Sequence, residues 1–449
     1  MWEQDISLEK QRSTYWHRRE GNIMKIAMLT NNYKPFVGGV PISIERLTKE
    51  LRNQGHEVTI FAPDYGFDAE YGQEQEDGVV RFQVTRRKME NGMVYPKLVS
   101  QEILDVFERE KFDCIHVHQP MFVGTQALYL GKKYQIPVIY TYHTRYEDYL
   151  HYIPFFKEEN AGEWRQRLIR LGKERVVPGY MKWFTNRCDL VLAPTPGMQA
   201  RIRGNGTEVP MAVMTTGLDE SFYIEEQEKT EEIRRTYLGG SKAEHLFCSV
   251  SRLEEEKNPV FLLKGIQRLK QKLRAPFRVL LLGEGSMRSE LEKMAEQMGL
   301  SDTVVFSGNI PNDEIKHYLY ASELFLFASK SETQGIVLEE AMAAGNPVVA
   351  VRASGVEDVV KNGINGYMTE EDIEIWSEKA AELIQSRDYS QVCAKARETA
   401  ETYRASRIAA YAELLYKQCV ERKEEMRDEE YTNRKEHTGA SILRLFKTS

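Results

Sequence analysis

The stretch from Ser331 to Gly345 constrains this chain more than any other, because it passes from strand to helix within a few residues. An apolar run, Leu324 to Ala328, precedes it and reads as a buried strand. Gly335 opens a turn, and Val337 to Ala344 reads as a helix that Gly345 stops. Glu332 therefore falls in the loop at the strand's carboxyl end, and Glu340 falls inside the helix. In open α/β sheets that edge is where ligands bind. Free N–H groups of Gly335 and Ile336 would meet an anion there, helped by the helix dipole. The two carboxylates are acceptors, which suits sugar hydroxyls better than phosphates. The stretch reads as a cradle for a nucleotide sugar.

Strand and helix patterns alternate around it. Lys25 to Thr30 is a short apolar strand, Gly38-Gly39 a tight turn, Val40 to Gln54 a helix and Gly55 to Phe61 the next strand, one right-handed βαβ unit. A Gly-Gly turn lets backbone approach a diphosphate closely. Asp113 to His118 reads as a strand whose period-two alternation puts His116 and His118 on one face. A helix from Gly124 to Lys133 and a strand from Pro137 to Tyr142 follow. Asp189 to Pro194 and Met211 to Met214 close the first sheet. Glu225 to Thr230 is charged and poor in apolar residues, and a linker is expected near it.

The alternation then repeats. His245 to Ser251 is a strand, and Arg252 and Lys257 lie beyond its carboxyl end. A guanidinium and an ammonium there suit the two phosphates of a nucleoside diphosphate, although two cations in isolation read more often as surface charge. Arg278 to Leu282 and Val304 to Ile310 are strands, and Pro347 to Val351 follows the cradle. Helical patterns cover Ile373 to Gln385 and Ala394 to Glu425. The tail from Glu421 to His437 is highly charged and reads as frayed, and Ser441 to Phe446 is a short amphipathic segment able to touch a membrane.

Bulk numbers narrow the class. At 449 residues, two domains are the default. Hydrophobic residues at 41% and charged residues at 29% describe a globular chain. A net charge of 61 − 68 = −7 argues against nucleic acid as the main partner. The five cysteines include no CxxC pair, consistent with a reducing cytoplasm. No run approaches the length of a membrane span. Residues 1–23 are polar and aperiodic, so Met24 is expected to be the native start and the preceding residues an extension outside the fold.

Glu332 and Glu340, with the ending Glu-Ala-Met-Ala-Ala-Gly, resemble the donor-site signature of the retaining family 4 glycosyltransferases. Further segments match that family in order: His116-Val117-His118-Gln119-Pro120, Arg252 with Glu256-Lys257, and Ser354 to Asp358. The resemblance covers roughly residues 24–415 and implies the GT-B fold. That fold has two Rossmann-like domains with a cleft between them and a last helix crossing back to the first. Expected limits are 24–222 for an acceptor domain, 223–395 for a nucleotide-sugar domain, and 396–449 for the crossover helix and tail. The resemblance assigns Arg252 and Lys257 to the diphosphate, Glu340 to the ribose and Glu332 to the hexose. It sets Gly39, Ile310, Gly335, Ile336 and Val337 against the nucleotide sugar, and His118 near the donor sugar or the acceptor hydroxyl. A UDP-sugar is expected as donor substrate. No metal or cofactor is expected, since the two cations neutralise the leaving diphosphate and no Asp-x-Asp cluster is present.

The segment Tyr142-His143-Thr144-Arg145-Tyr146-Glu147-Asp148-Tyr149-Leu150-His151-Tyr152 resembles a subgroup, the bacterial diacylglycerol α-glucosyltransferases. It implies glucose as the sugar and diacylglycerol as the acceptor. Between Glu163 and Arg187 a basic, aromatic stretch with Trp164 and Trp183 reads equally as a membrane-interface helix or an ordinary surface helix. On the first reading the protein is cytoplasmic and rests on the anionic inner face of the membrane. A family 4 enzyme acting on a soluble or cell-wall sugar, a UDP-sugar epimerase of the same architecture, and a non-catalytic nucleotide-sugar binder are the rivals.

Overall fold

The computed structural model describes residues 23–36, 38–66, 77–88, 94–97, 99–143, 175–330, 332 and 334–445. Most of the Tyr142–Tyr152 segment, and residues 163–174 of the basic stretch, lie outside the described residues.

Short apolar runs become strands because both of their faces are covered, and amphipathic runs between them become helices. In the first half these are β1 (Lys25–Leu29), α1 (Gly39–Asn53), β2 (Glu57–Pro63), β3 (Val79–Phe82), the antiparallel pair β4 (Val84–Lys88) and β5 (Val94–Pro96), and α2 (Gln101–Arg109). After them come β6 (Cys114–Val117), α3 (Val123–Tyr134), β7 (Val138–Thr141), α4 (Val177–Thr185), β8 (Leu190–Ala193), α5 (Pro196–Gly204) and β9 (Met211–Val213). Strand order in this sheet is β3-β2-β1-β6-β7-β8-β9. β1 pairs in parallel with both β2 and β6, so the order reverses between β1 and β6.

The second half runs α6 (Gln227–Leu238), β10 (His245–Val250), α7 (Pro259–Lys272), β11 (Phe277–Leu282), α8 (Arg288–Gln297) and β12 (Val304–Gly308). It continues with α9 (Ile315–Ala321), β13 (Leu324–Phe327), α10 (Ile336–Ala343), β14 (Val348–Val351), α11 (Val356–Val359) and β15 (Gly366–Thr369). The chain finishes with α12 (Ile373–Gln385), α13 (Tyr389–Glu401) and α14 (Ala405–Leu445). This sheet has the order β12-β11-β10-β13-β14-β15. Alternate strand residues feed two apolar layers. Phe247, Leu324 and Leu326 enter one, and Cys248, Phe325 and Phe327 the other. Each fully buried Leu or Phe contributes about 1.5–3 kcal/mol, so a run like Leu324–Phe327 commits to the sheet centre.

The chain forms two compact units. Of the described residues, one comprises those from 23 to 36, from 48 to 139 and from 416 onward; the other comprises those from 38 to 47 and from 140 to 415. Within the first, Tyr416 of α14 is fully buried and its hydroxyl lies 2.7 Å from His116 Nδ1.

Three expectations are corrected. Gly39 is the first residue of α1 rather than part of a turn before it. The continuous helix expected from Ala394 is broken at Thr402–Arg404, because Leu218 and Arg404 form a β-bridge there. Finally, the charged tail is helical to Leu445 rather than frayed. The charged stretch at Glu225–Thr230 enters the first turn of α6.

Candidate functional site: a cavity at the switch point of the second sheet

In the second sheet the chain moves outward from β10 to β11 and β12, then returns to lay β13 on the other side of β10. The carboxyl ends of β10 and β13 thus border a topological switch point, the place where open α/β sheets bind ligands. A cavity of about 490 Å³ opens there.

The loop after β10 carries Arg252 and a short 3-10 turn, Glu255–Lys257; the loop after β13 carries Glu332 and leads to Gly335. Gly335 takes φ +81°, a left-handed conformation that side chains disfavour, and caps α10 without a side chain. Of the residues singled out in the sequence, Gly39, Arg252, Lys257, Glu332, Gly335, Ile336, Val337 and Glu340 line this cavity. A Cβ on Gly39 would meet nothing within 4 Å. Ile310 is not among the lining residues, whereas Asn312 and Ile315 are. His118, just past β6 in the other unit, is not among them either. It is buried, with its ring centroid 4.2 Å from that of His116.

The charges are arranged in pairs. Lys257 Nζ lies 2.7 Å from Glu332 Oε1, with both side chains largely buried. Arg252 reaches Glu256 at 2.7 Å and is mostly exposed. Arg46, on α1, places Nη2 3.0 Å from Glu340 Oε1, and these side chains are only 6% and 8% exposed. Burial pushes the Glu340 carboxyl above its ordinary value, and Arg46 pulls it back. Glu339, wholly buried beside it, is pushed well above the carboxylate range by burial; Gln334 acts in the opposite sense. His143, another lining residue, is held down to about 4 by burial and is neutral at pH 7. Among the described residues no group of three or more His, Cys, Asp or Glu could hold a metal ion.

Arg46, Gln334 and Glu339 have no role in the sequence reading. Arg46 follows Gly39 by two helical turns, which puts it on the same face of α1, but nothing local names a partner nearly three hundred residues away. Gln334 and Glu339 sit inside the recognised stretch, where their burial leaves no mark in the sequence.

Residues 37–222 match the family model described as Glycosyltransferase Family 4, and residues 231–401 match Glycosyl transferases group 1. With two Rossmann-like sheets and this pair of glycosyltransferase domains, the chain is a glycosyltransferase of the GT-B fold. Among curated proteins it is similar to the alpha-monoglucosyldiacylglycerol synthase of Streptococcus pneumoniae, 28% identical over 73% of this chain and 71% of that one. The enzyme of the same name from Acholeplasma laidlawii is also 28% identical, over 76% and 84%. In fold it resembles Anabaena Alr3699/HepE, solved in complex with UDP and glucose. The TM-score is 0.63 at 20% identity, covering 87% of this chain and 99% of that one. Sucrose-phosphate synthase from Thermosynechococcus elongatus gives a TM-score of 0.66 at 18% identity, over 88% and 98%. Among the described residues no helix is long and apolar enough to cross a membrane.

Proposed function

We propose that the chain is a retaining glucosyltransferase that moves glucose from UDP-glucose to a membrane lipid, diacylglycerol. The observation that carries the donor half is the convergence of Arg252, Lys257, Glu332 and Glu340 on one cavity at the switch point of the second sheet. Arg252 and Lys257 take the diphosphate and stabilise the charge that grows on it as the sugar's C1–O bond breaks. Glu340, with one oxygen held by Arg46, accepts from the ribose hydroxyls through the other. Glu332 accepts from the hexose. The N–H groups at Gly39, Gly335 and Ile336 meet phosphate or sugar oxygens, and Val337 flanks the nucleotide. This chemistry needs no metal ion.

The acceptor half rests on the Tyr142–Tyr152 segment and on the similarity to the two glucosyldiacylglycerol synthases. A lipid acceptor stays in its bilayer, so the enzyme works at the anionic inner face of the membrane. Basic residues near such a surface contribute about 1 kcal/mol each. The test is incubation with radiolabelled UDP-glucose and diacylglycerol in mixed micelles containing anionic lipid. Label should enter a lipid-soluble α-glucoside. Label passing only to a water-soluble sugar would replace the acceptor and keep the enzyme class. An epimerised UDP-sugar formed without any acceptor would replace the class of reaction.

A further inference from the structure

Gln334 occupies the loop between Glu332 and Gly335 and is 5% exposed, although it borders the cavity. Its carboxamide reaches two peptide groups of one residue: Oε1 accepts from the Thr216 N–H at 2.8 Å, and Nε2 donates to the Thr216 carbonyl at 3.2 Å. That is the pattern a neighbouring strand would supply, made here by a side chain. The same Nε2 lies 3.1 and 3.0 Å from the two carboxyl oxygens of Glu339. Glu339 is fully buried and does not line the cavity. A buried carboxyl that meets no ligand is costly unless a partner uses it, and the partner is Gln334.

Thr216 and Gly217 form a fixed reference for this contact. Arg46 Nη1 donates to the Gly217 carbonyl at 3.2 Å, and the Thr216 hydroxyl lies 3.3 Å from Ser43 Oγ. A Cβ on Gly217 would come within 2.5 Å of Ala405 Cα, so that peptide is packed hard against the start of α14. Gln334 ties this rigid point to the loop after β13, where the Glu332 carbonyl also accepts from the Ser354 hydroxyl at 2.9 Å.

We infer that Gln334, backed by Glu339, is a positioning residue for sugar transfer. It locks the loop carrying Glu332 and Gly335 to the Thr216–Gly217 peptide, so that the carboxylate and the helix N-terminus meet the hexose in register. The inference rests on the UDP-glucose reading above. Loss of the lock misplaces Glu332 by an ångström or so, which is enough to cost one to two orders of magnitude in transfer. Glu340 and Arg252 keep their own supports, so UDP itself is bound much as before.

Four variants test this: Gln334→Ala, Gln334→Glu, Glu339→Leu and Glu339→Gln. For each, kcat and KM for UDP-glucose are measured in the micelle assay, UDP affinity by calorimetry and stability by thermal melting. Gln334→Ala and Gln334→Glu should lose about tenfold or more in kcat/KM for UDP-glucose while UDP affinity shifts by less than about threefold. Glu339→Gln, which keeps an acceptor oxygen for Nε2, should recover most of what Glu339→Leu loses. The inference is overturned if Gln334→Ala changes kcat/KM by less than about twofold, or if the losses follow UDP affinity or melting temperature in step. Wild-type protein that binds no UDP would overturn the donor-site reading itself, and this inference with it.

Discussion

Removing Arg46 should damage the protein in two separable ways. Its guanidinium is the ion-pair partner of Glu340, and both side chains are more than nine-tenths buried. Arg46→Met keeps most of the apolar stem, which lies with its guanidinium carbon 5.3 Å from the Phe222 ring centroid, but removes the charge. Breaking a buried pair from one side costs about 3–5 kcal/mol, because the other charge stays behind without compensation. Glu340 can escape part of that by taking up a proton. Its carboxyl already sits above its ordinary value through burial, and Arg46 is what lowers it. A raised carboxyl makes the folded state bind more protons than the unfolded state. Stability is therefore retained below the unfolded value, near 4.5, and lost as pH rises through the folded value. The variant should thus lose stability more steeply than wild type above about pH 4.5. Urea denaturation of Arg46→Met, Glu340→Gln and the double variant from pH 4.5 to 8 measures this. Glu340→Gln should remove most of the pH-dependent loss caused by Arg46→Met, giving a coupling energy of about 2–3 kcal/mol at neutral pH. A coupling below about 0.5 kcal/mol, with parallel pH profiles, would refute the buried-pair account.

Three other predictions concern single side chains. Arg252→Ala should leave stability within about 0.5 kcal/mol, since its pair with Glu256 is exposed; UDP affinity by calorimetry should nevertheless fall by about 2 kcal/mol. Glu332→Ala should not weaken UDP binding but should impair glucose transfer, whereas Glu340→Ala should weaken UDP itself; equal losses of UDP binding would show that the two roles are misassigned. His143 is held down to about 4 in the folded state against 6.5 for the free side chain, so the unfolded chain gains a proton first as pH falls. Its contribution is present above about pH 6.5 and is lost toward pH 4, on the order of 3 kcal/mol in all. His143→Gln should flatten the denaturation midpoint across that window.

The fold was legible because its signals are local. A run such as Leu324–Phe327 cannot stay in water, and Gly335 cannot be mistaken for a helix interior. That Arg252, Lys257, Glu332 and Glu340, the residues proposed for the donor, share one cavity was legible for a related reason: each lies at a strand's carboxyl end or in the first turns after it, and the topology brings those ends together. What supports them was not. Arg46 meets Glu340 across a sequence separation of 294 residues. Gln334 meets Thr216 across 118. No periodicity records a contact of that kind. The break between α13 and α14 was missed for the same reason, since Leu218 causes it from a distant part of the chain. The helical tail was misjudged because composition speaks for solvation and says little about backbone.

The pairing of charges around the cavity also bears on how a donor would be told from its product. Lys257 and Glu332 neutralise each other at 2.7 Å, so on the proposed reading a diphosphate must draw Lys257 away from its carboxylate. With UDP-glucose the released Glu332 turns to a hexose hydroxyl, and both partners of the broken pair find new ones. With UDP alone Glu332 has no such acceptor role to take up, and a partly buried carboxylate loses its cation for nothing. UDP therefore gains less from Lys257 than the intact donor does, which favours release of product after transfer. The Arg46–Glu340 pair cannot act in this way. It is buried more deeply, is anchored to Gly217, and leaves one carboxylate oxygen for the ribose that donor and product share. On the proposed reading one pair exchanges partners while the other stays, and the difference follows from burial and anchoring.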